Sequence, residues 1–142
     1  MKLRALSAGL ALLFVLSLVS CASARPEVVV TCEDFNTSRF VNRTINVRER
    51  DSITVTVCSA NASQGYRWSE TAIIDDLTTI RQIDQRYIIP PENAQGEDAA
   101  DKQQWTFVAL KPGSTKIELD YSQPWEGGDK KYGVFKITVN IK

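Results

Sequence analysis

Residues 53–57 read Ile53-Thr54-Val55-Thr56-Val57, in which branched apolar side chains alternate with threonines. Successive side chains of a β-strand point to opposite faces of the sheet, so this period of two indicates one buried and one solvated face. Valine, isoleucine and threonine are also enriched in strands. The run therefore predicts a half-buried β-strand, and we look for further strands of the same pattern in the rest of the chain.

The same alternation recurs along most of the chain, at roughly ten residues per strand. We predict further strands in the runs at 28–30, 40–47, 66–68, 78–89, 105–109, 117–121 and 135–141. Pro90-Pro91 ends one strand, and Lys111-Pro112-Gly113 forms a turn before another. The one helical candidate, at 71–77, gives at most a turn. About seven to eight short strands predict an all-β, immunoglobulin-like β-sandwich without the Cys-Trp-Cys spacing of antibody domains.

The N-terminus is interpreted as an export signal, because Lys2 and Arg4 precede an apolar run over residues 5–19. This run is too short to span a bilayer comfortably and is followed by small residues, so it does not predict a transmembrane helix. The predicted signal peptide is 1–21. A single domain at 26–142 follows it, with no internal repeat or linker.

Two cleavage sites compete at the end of this signal. Leu18-Val19-Ser20-Cys21 resembles a bacterial lipobox, which would make Cys21 a lipidated N-terminus, whereas Ala22-Ser23-Ala24 resembles an ordinary site cut before Arg25. We favour the lipobox, and hence a membrane-anchored lipoprotein on the periplasmic or outer cell surface. Cleavage before Arg25 would instead give a secreted protein.

Either cleavage leaves Cys32 and Cys58 in a compartment where disulfides persist. We predict that they pair, because Cys58 ends a predicted strand beside a loop that a bridge would brace. Closing a loop of this length is typically worth about 3 kcal/mol. The alternative is a pair of buried free thiols.

Composition disfavours several functional classes. The chain has 0 histidines, which removes the commonest general base, the usual activator of serine and cysteine nucleophiles, and the commonest metal ligand. We therefore expect no catalysis, no cofactor and no metal site. The acidic pairs Asp75-Asp76 and Glu97-Asp98, the latter with Asp101, are interpreted as solvated turns rather than as acid/base or calcium sites.

The charge balance limits the choice of partner. Without Lys2 and Arg4, fifteen basic residues remain against seventeen acidic ones, a mature charge of about −2. The absence of any basic run argues against a nucleic-acid partner. With about 120 residues the mature chain has room for one core, and we expect a monomer.

A polar and aromatic cluster between two predicted strands suggests a binding loop. Gly65 tolerates a positive φ, Asn61 is suited to an Asx-type turn within its own loop, and Ala62-Ser63 keeps the tip narrow. Tyr66 and Trp68 would then point inward on the next strand and anchor the loop on the core. The alternative is an ordinary turn followed by two core aromatics.

Two further loops have features of binding segments. Gln123-Pro124-Trp125 ends a strand with a stiff proline and a large amphipathic ring, of a type over-represented at interface hot spots. The turn Glu126-Gly127-Gly128-Asp129 would let the ring project, although Trp125 alone is equally consistent with a cap on the core. Gln95-Gly96-Glu97 lies in an acidic loop between two other strands. Loops on a rigid β-scaffold commonly carry recognition.

Taken in order, these motifs resemble the chagasin-like inhibitors of papain-type cysteine peptidases, over essentially the whole chain from Glu27 to Lys142. The family has a first loop of the form Asn-Pro-Thr-Thr-Gly followed by aromatic-x-Trp, a glycine-rich middle loop and a third loop such as Arg-Pro-Trp. The residues that match the first and third motifs in register are Asn61, Gly65, Tyr66, Trp68, Pro124 and Trp125.

This sequence also departs from the family pattern. Ala62 stands in place of proline, Ser63-Gln64 in place of two threonines, and Gln123 in place of arginine. Gly96 is the one glycine that represents the middle motif.

The resemblance implies a three-loop wedge, in which the first loop enters the active-site cleft of a peptidase and the other two grip its sides. The residues it implies as contacts are Asn61, Ala62, Ser63, Gln64, Gly65, Tyr66, Trp68, Gln95, Gly96, Glu97, Gln123, Pro124 and Trp125. The alternative function is that of a surface-attached adhesion or carbohydrate-binding sandwich, with Trp105, Tyr121 and Trp125 as an aromatic platform.

Overall fold

The folded part of the chain is built mainly from strands. The computed structural model describes residues 25–142, so the predicted signal peptide and Cys21 lie outside the described residues. The elements run in the order β1 (Glu27–Val30), α1 (Cys32–Thr37), β2 (Phe40–Val47), β3 (Ser52–Cys58), β4 (Arg67–Trp68), β5 (Ile73–Ile74), β6 (Ile80–Ile88), β7 (Lys102–Ala109), β8 (Gly113–Ser122) and β9 (Gly133–Ile141). Short 3₁₀ turns lie at Ala62–Gln64 and Gly96–Ala99. Within this part of the chain, no helix is long and apolar enough to cross a membrane.

Two mixed sheets pack face to face. The first sheet has the order β1-β3-β7-β6, and the second has the order β2-β9-β8-β4, with β5 also paired to β8. β1 runs parallel to β3 and β2 parallel to β9, while the other pairings between described strands are antiparallel. This architecture confirms the predicted all-β, immunoglobulin-like sandwich.

The alternation seen in the sequence explains how the sheets pack. Every second side chain of β7 is buried, and β8 and β9 alternate in the same way along most of their length. The largest inward side chains are Trp68, Trp105, Tyr121, Phe107 and Phe135. Their removal from water drives the sheets together, at roughly 25 cal/mol per Å² of apolar surface.

The α-helix of the described residues was not predicted. Residues 71–77, where at most a helical turn was predicted, contain β5, and the helix is α1 at Cys32–Thr37. Its first turn is closed by a capping box, in which Asp34 N donates to Thr31 Oγ1 at 3.0 Å and Thr31 N donates to Asp34 Oδ2 at 3.1 Å. These hydrogen bonds, together with the nearby charge of Arg43, lower the pKa of Asp34.

Strand β6 forms an edge of the first sheet and explains the weak alternation of residues 78–89. A register shift between Gln82 and Asp84 leaves Ile83 exposed, and Ile80 is the one fully buried residue among the apolar side chains predicted to alternate here. Bulges at sheet edges disrupt the ladder and discourage pairing with another chain.

The turn before β6 uses one of the predicted acidic pairs. Asp76 Oδ1 accepts hydrogen bonds from Thr78 Oγ1 at 2.6 Å and from Thr78 N at 2.9 Å. These bonds lower the pKa of Asp76. The pair Asp75-Asp76 therefore belongs to a hydrogen-bonded turn, at the end of the sandwich opposite α1.

Helix α1 covers one open end of the sandwich with Phe35. This side chain is 1% exposed, and its ring centroid lies 5.3 Å from that of Trp68 and 5.2 Å from that of Tyr121. The predicted disulfide between Cys32 and Cys58 is present, with a Cα–Cα distance of 5.1 Å. It joins α1 to the last residue of β3, so the same end of the core is both filled and cross-linked.

Replacing Phe35 by alanine tests this packing. Phe35→Ala should lower the free energy of unfolding by about 3–5 kcal/mol, because it leaves a cavity in a fully buried aromatic site. Phe40→Ala is a matched control, since Phe40 is 62% exposed and its truncation should change stability by about 0.5 kcal/mol or less. Denaturant unfolding measures both values, and equal losses would contradict the role of Phe35.

Candidate functional site

Three loops lie at the end of the sandwich that α1 covers, and we call this end the loop end. The first loop comprises residues 59–66, between β3 and β4. The middle loop comprises residues 89–101, between β6 and β7, and the third loop comprises residues 123–132, between β8 and β9. All the residues of the predicted binding motifs except Trp68 fall in these three loops.

The first loop is hydrogen-bonded to both of its neighbours. Ser59 N donates to Asp101 O of the middle loop at 2.7 Å. Gln123 Nε2 of the third loop donates to Gln64 O at 3.2 Å. The structure therefore brings the three predicted segments together, with the first loop attached to each of the others.

The first loop is a compact turn with an exposed tip. Asn61 O accepts from Gln64 N at 3.0 Å, and the turn Ala62–Gln64 ends at Gly65, whose φ is 80°. This confirms the predicted positive φ, which glycine adopts without a steric penalty. Ser63 and Gln64 are exposed, so their side chains are the ones that the tip offers to a partner.

The predicted Asx-type turn at Asn61 is wrong, because its side chain bonds across loops. Asn61 Nδ2 donates to the hydroxyl of Tyr132 at 3.0 Å, and Asn61 N donates to the hydroxyl of Tyr121 at 3.0 Å. Two buried or half-buried phenols thus hold the start of the first loop. Sequence reasoning missed Tyr132, for which no local pattern gave a signal.

Aromatic side chains support the first loop from below. Tyr66 and Trp68 are buried, as predicted, and Trp68 Nε1 donates to Cys58 O at 2.8 Å. The ring centroids of Tyr66 and Tyr132 are 4.3 Å apart, and the guanidinium of Arg39 lies 3.9 Å from the Tyr132 centroid. Cation–π contacts of this kind add to ring packing. Trp68 therefore anchors the loop base and does not face outward.

Tyr66 also links the loop base to the third loop. Its hydroxyl donates to Asp129 Oδ2 at 3.5 Å. Burial, reinforced by the Asp129 charge, raises the pKa of Tyr66. The phenol therefore stays protonated at physiological pH and remains a hydrogen-bond donor to this carboxylate.

Trp125 of the third loop lies against the first loop. A Cβ built at Gly65 would stand 2.6 Å from Trp125 Cζ3, so the ring occupies the space that only glycine leaves free. The side chain is nevertheless 48% exposed. Trp125 therefore projects from the core, as predicted, while one side of its ring packs on the first loop.

The third loop is closed by its own hydrogen bonds. Gln123 Oε1 accepts from Asp129 N at 3.0 Å, and the ammonium of Lys130 donates to Gln123 O at 3.0 Å and to Trp125 O. Pro124 is exposed beside them. Because Gln123 also reaches Gln64, this residue connects the third loop to the first.

Two acidic side chains of the middle loop, Glu97 and Asp98, have partners within the chain. Glu97 Oε1 accepts from Cys32 N at 2.6 Å, and Asp98 forms an ion pair of 3.6 Å with Lys102. Gln95 and Gly96 are exposed in the same loop. The pair Glu97-Asp98 therefore lies in an exposed turn, as predicted, and each of its carboxylates also has a partner within the chain.

Asp101 closes the middle loop at its other end. Its Oδ2 accepts from the hydroxyl of Tyr87 at 2.6 Å. Burial, together with this hydrogen bond to a carboxylate, raises the pKa of Tyr87 to about 12.

One group of potential metal ligands occurs among residues 25–142, and its chemistry does not favour a metal. Sγ atoms of Cys32 and Cys58 and a carboxylate oxygen of Glu97 lie within 4.8 Å of one another. Thiolate, rather than disulfide sulfur, is the metal ligand. Because the two cysteines are joined to each other, the group offers one carboxylate only.

Comparison with known proteins gives a family and a fold. A family model described as "Chagasin family peptidase inhibitor I42" matches residues 46–139. No curated protein sequence matches the chain significantly. The fold is similar to that of the cysteine protease inhibitor EhICP2 from Entamoeba histolytica, with a TM-score of 0.61 and 20% identity, covering 82% of this chain and 96% of that chain.

Two further solved structures are similar. The solution structure of Amebosin has a TM-score of 0.50 and 18% identity, over 82% of this chain and 99% of that one. PbICP-C, solved in complex with falcipain-2, has a TM-score of 0.47 and 14% identity, over 82% of this chain and 98% of that one.

The contact between Gly65 and Trp125 can be tested with two glycine variants. Gly65→Ala should displace the indole of Trp125, because the added Cβ collides with this ring. The backbone φ at position 65 is +80°. Gly127→Ala is the matched control, since φ there is +77° and an added Cβ has nothing within 4 Å. Both variants should lose about 1–3 kcal/mol of stability through backbone strain.

Quenching of tryptophan fluorescence by a soluble quencher distinguishes Gly65→Ala from Gly127→Ala. Trp68 and Trp105 are buried, so quenching reports mainly on Trp125. We expect more quenching in Gly65→Ala than in the wild type and no increase in Gly127→Ala. Equal quenching in the two variants would contradict the ring contact.

Proposed function

This chain belongs to the chagasin family of peptidase inhibitors, and we propose that its targets are papain-type cysteine peptidases. The observation that carries the proposal is the joined pair of loops at the loop end. The exposed tip Ser63-Gln64 stands next to a half-exposed Trp125, and hydrogen bonds fix both loops before any partner arrives. A preorganised surface of this kind loses little entropy on docking.

The proposed mechanism is occlusion of the active-site cleft. The narrow turn Ala62–Gln64 enters the cleft and covers the catalytic cysteine and histidine of the peptidase, while the middle and third loops contact the two sides. The chain acts by steric exclusion and supplies no catalytic group of its own. We therefore propose a reversible inhibitor and not an enzyme.

The predicted contact residues divide into two roles under this proposal. Ala62, Ser63, Gln64 and the third-loop residues meet the peptidase, and Trp125 is the main anchor, since large aromatic side chains dominate interface energetics. Tyr66 and Trp68 lie beneath them and hold the loop in place. Gln95 and Gly96 are exposed on the middle loop and are available as a flanking contact.

The alternative of an aromatic platform for carbohydrate is contradicted by burial. Trp105 and Tyr121 are 0% exposed, and both point into the core between the sheets. A sugar platform needs rings exposed on one flat face, and of the three proposed rings only Trp125 reaches solvent. The surface-attached sandwich built on that platform is therefore not supported.

Titration against papain tests the proposal directly. The protein comprising residues 26–142 should inhibit hydrolysis of a fluorogenic peptide by papain reversibly and competitively, and should leave a serine peptidase unaffected. No inhibition of papain at micromolar inhibitor would remove the proposed target class.

Trp125→Ala tests the assigned anchor. The inhibition constant should rise about 30-fold or more, equivalent to about 2 kcal/mol, while the melting temperature changes little because half of the ring is already solvated. Leu77→Ala is the control, since Leu77 is exposed in the turn at the opposite end and its loss should leave inhibition unchanged. A large fall in melting temperature with inhibition intact would instead identify Trp125 as a core residue.

We further propose that the protein is exported and held at a membrane by lipid on Cys21, the first residue after the predicted lipobox cleavage. Cys21→Ser should move the protein from the membrane fraction to the soluble fraction, measured by immunoblotting of fractionated cells. An unchanged distribution would favour cleavage before Arg25 and a secreted inhibitor.

A further inference from the structure

The middle loop is connected to the base of the first loop through helix α1. Glu97 Oε1 accepts from Cys32 N at 2.6 Å, and Cys32 is bonded to Cys58, the last residue of β3. The first loop begins at the next residue, Ser59. We call this chain of contacts the Glu97–Cys32–Cys58 connection.

The hydrogen bond in this connection has a clear physical cause. The first N–H groups of a helix have no partner within the helix, and a negative charge close to them is favourable. In α1, Thr31 satisfies Asp34 N, while Cys32 N is left to find an acceptor elsewhere. Glu97 supplies a charged acceptor, which makes the bond stronger than one between neutral groups.

The middle loop is thereby fixed to the first loop at two points. Asp101 O accepts from Ser59 N at 2.7 Å at the end of the middle loop, and Glu97, within the 3₁₀ turn Gly96–Ala99, accepts from the backbone N–H of Cys32. The Asp101 contact lies at the end of the loop, three residues or more from Glu97 and Asp98. The second point fixes the distance of the turn from the first loop.

We infer that Glu97 is a positioning residue that acts through the disulfide to set the spacing between the first and middle loops. The sequence motif had suggested that Glu97 contacts the peptidase itself. Its carboxylate instead bonds within the chain, and its contribution to binding is the placement of Gln95 and Gly96 beside the first loop. This inference rests on the proposed function for its effect on inhibition, but its structural part does not.

The structural part is tested on the free protein by amide hydrogen exchange. In Glu97→Ala the Cys32 amide should exchange about tenfold faster than in the wild type, since its acceptor is lost, and Glu97→Gln should give an intermediate rate because an amide oxygen still accepts. Glu92→Ala is the matched control, as it removes the same charge from an exposed position in the same loop. Equal exchange rates in Glu97→Ala and the wild type would overturn the connection.

The functional part is tested by a double-mutant cycle with papain as the probe. Glu97→Ala should raise the inhibition constant roughly tenfold when the disulfide is present and by about twofold or less in a Cys32→Ser, Cys58→Ser background, because the covalent link between α1 and β3 is then lost. Equal factors in the two backgrounds would show that Glu97 contacts the peptidase directly, and would overturn the positioning role.

Two controls keep the outcomes separate. If the wild type fails to inhibit papain, the proposed function fails, while the exchange rate of the Cys32 amide still decides whether the connection exists. If the double cysteine variant does not fold, the exchange measurement on Glu97→Ala, together with the inhibition constants of Glu97→Ala and Glu92→Ala, replaces the cycle. Equal inhibition constants for those two variants would then overturn the role of Glu97.

Discussion

The geometry of the loop end depends on the burial of one phenol. Tyr121 is 0% exposed and packs against Phe35, Tyr66 and Trp68, so its hydroxyl has no access to water. A buried hydroxyl without a partner costs free energy, and burial likewise raises the pKa of this phenol. Asn61 N donates to the hydroxyl of Tyr121 at 3.0 Å. This hydrogen bond gives the buried hydroxyl a partner and also fixes the first residues of the first loop.

The first loop crosses from one sheet to the other and contacts the middle and third loops. Fixing the first loop therefore also limits the positions of those two loops. The first loop leaves β3 in the first sheet and enters β4 in the second, so any change in sheet packing would move it. Gly65 then receives the indole of Trp125, and Gln64 accepts a hydrogen bond from Gln123. The exposed tips therefore have little freedom of their own, and the entropy of ordering them is lost during folding rather than on binding.

The sequence allowed the strands and the positions of the three loops to be predicted, but not the contacts between the loops. Alternation such as that of residues 53–57 is a local signal, and local patterns of this kind, some of them weaker, identified eight of the nine described strands. β5 has two residues and α1 has six, too short to show a period of two or of 3.6. β4 is as short as β5, and it was predicted from the aromatic residues Tyr66 and Trp68 instead. Thr31-x-x-Asp34 matches a capping-box signal for the start of α1. The bond from Asn61 to Tyr132 spans 71 positions, and no local pattern reports such a partner.

The parallel pairing of β1 with β3 determines how the domain is displayed. Both strands run toward the loop end, so the chain enters the sandwich at Glu27 on the opposite side. Glu27 pairs with Thr54, four residues before Cys58, so about 13 Å of strand separates the start of β1 from the level at which β3 ends and the first loop begins. A tether attached before Glu27, such as the proposed lipid, would therefore hold the domain on the side away from the loops and leave the loop end directed toward the solution.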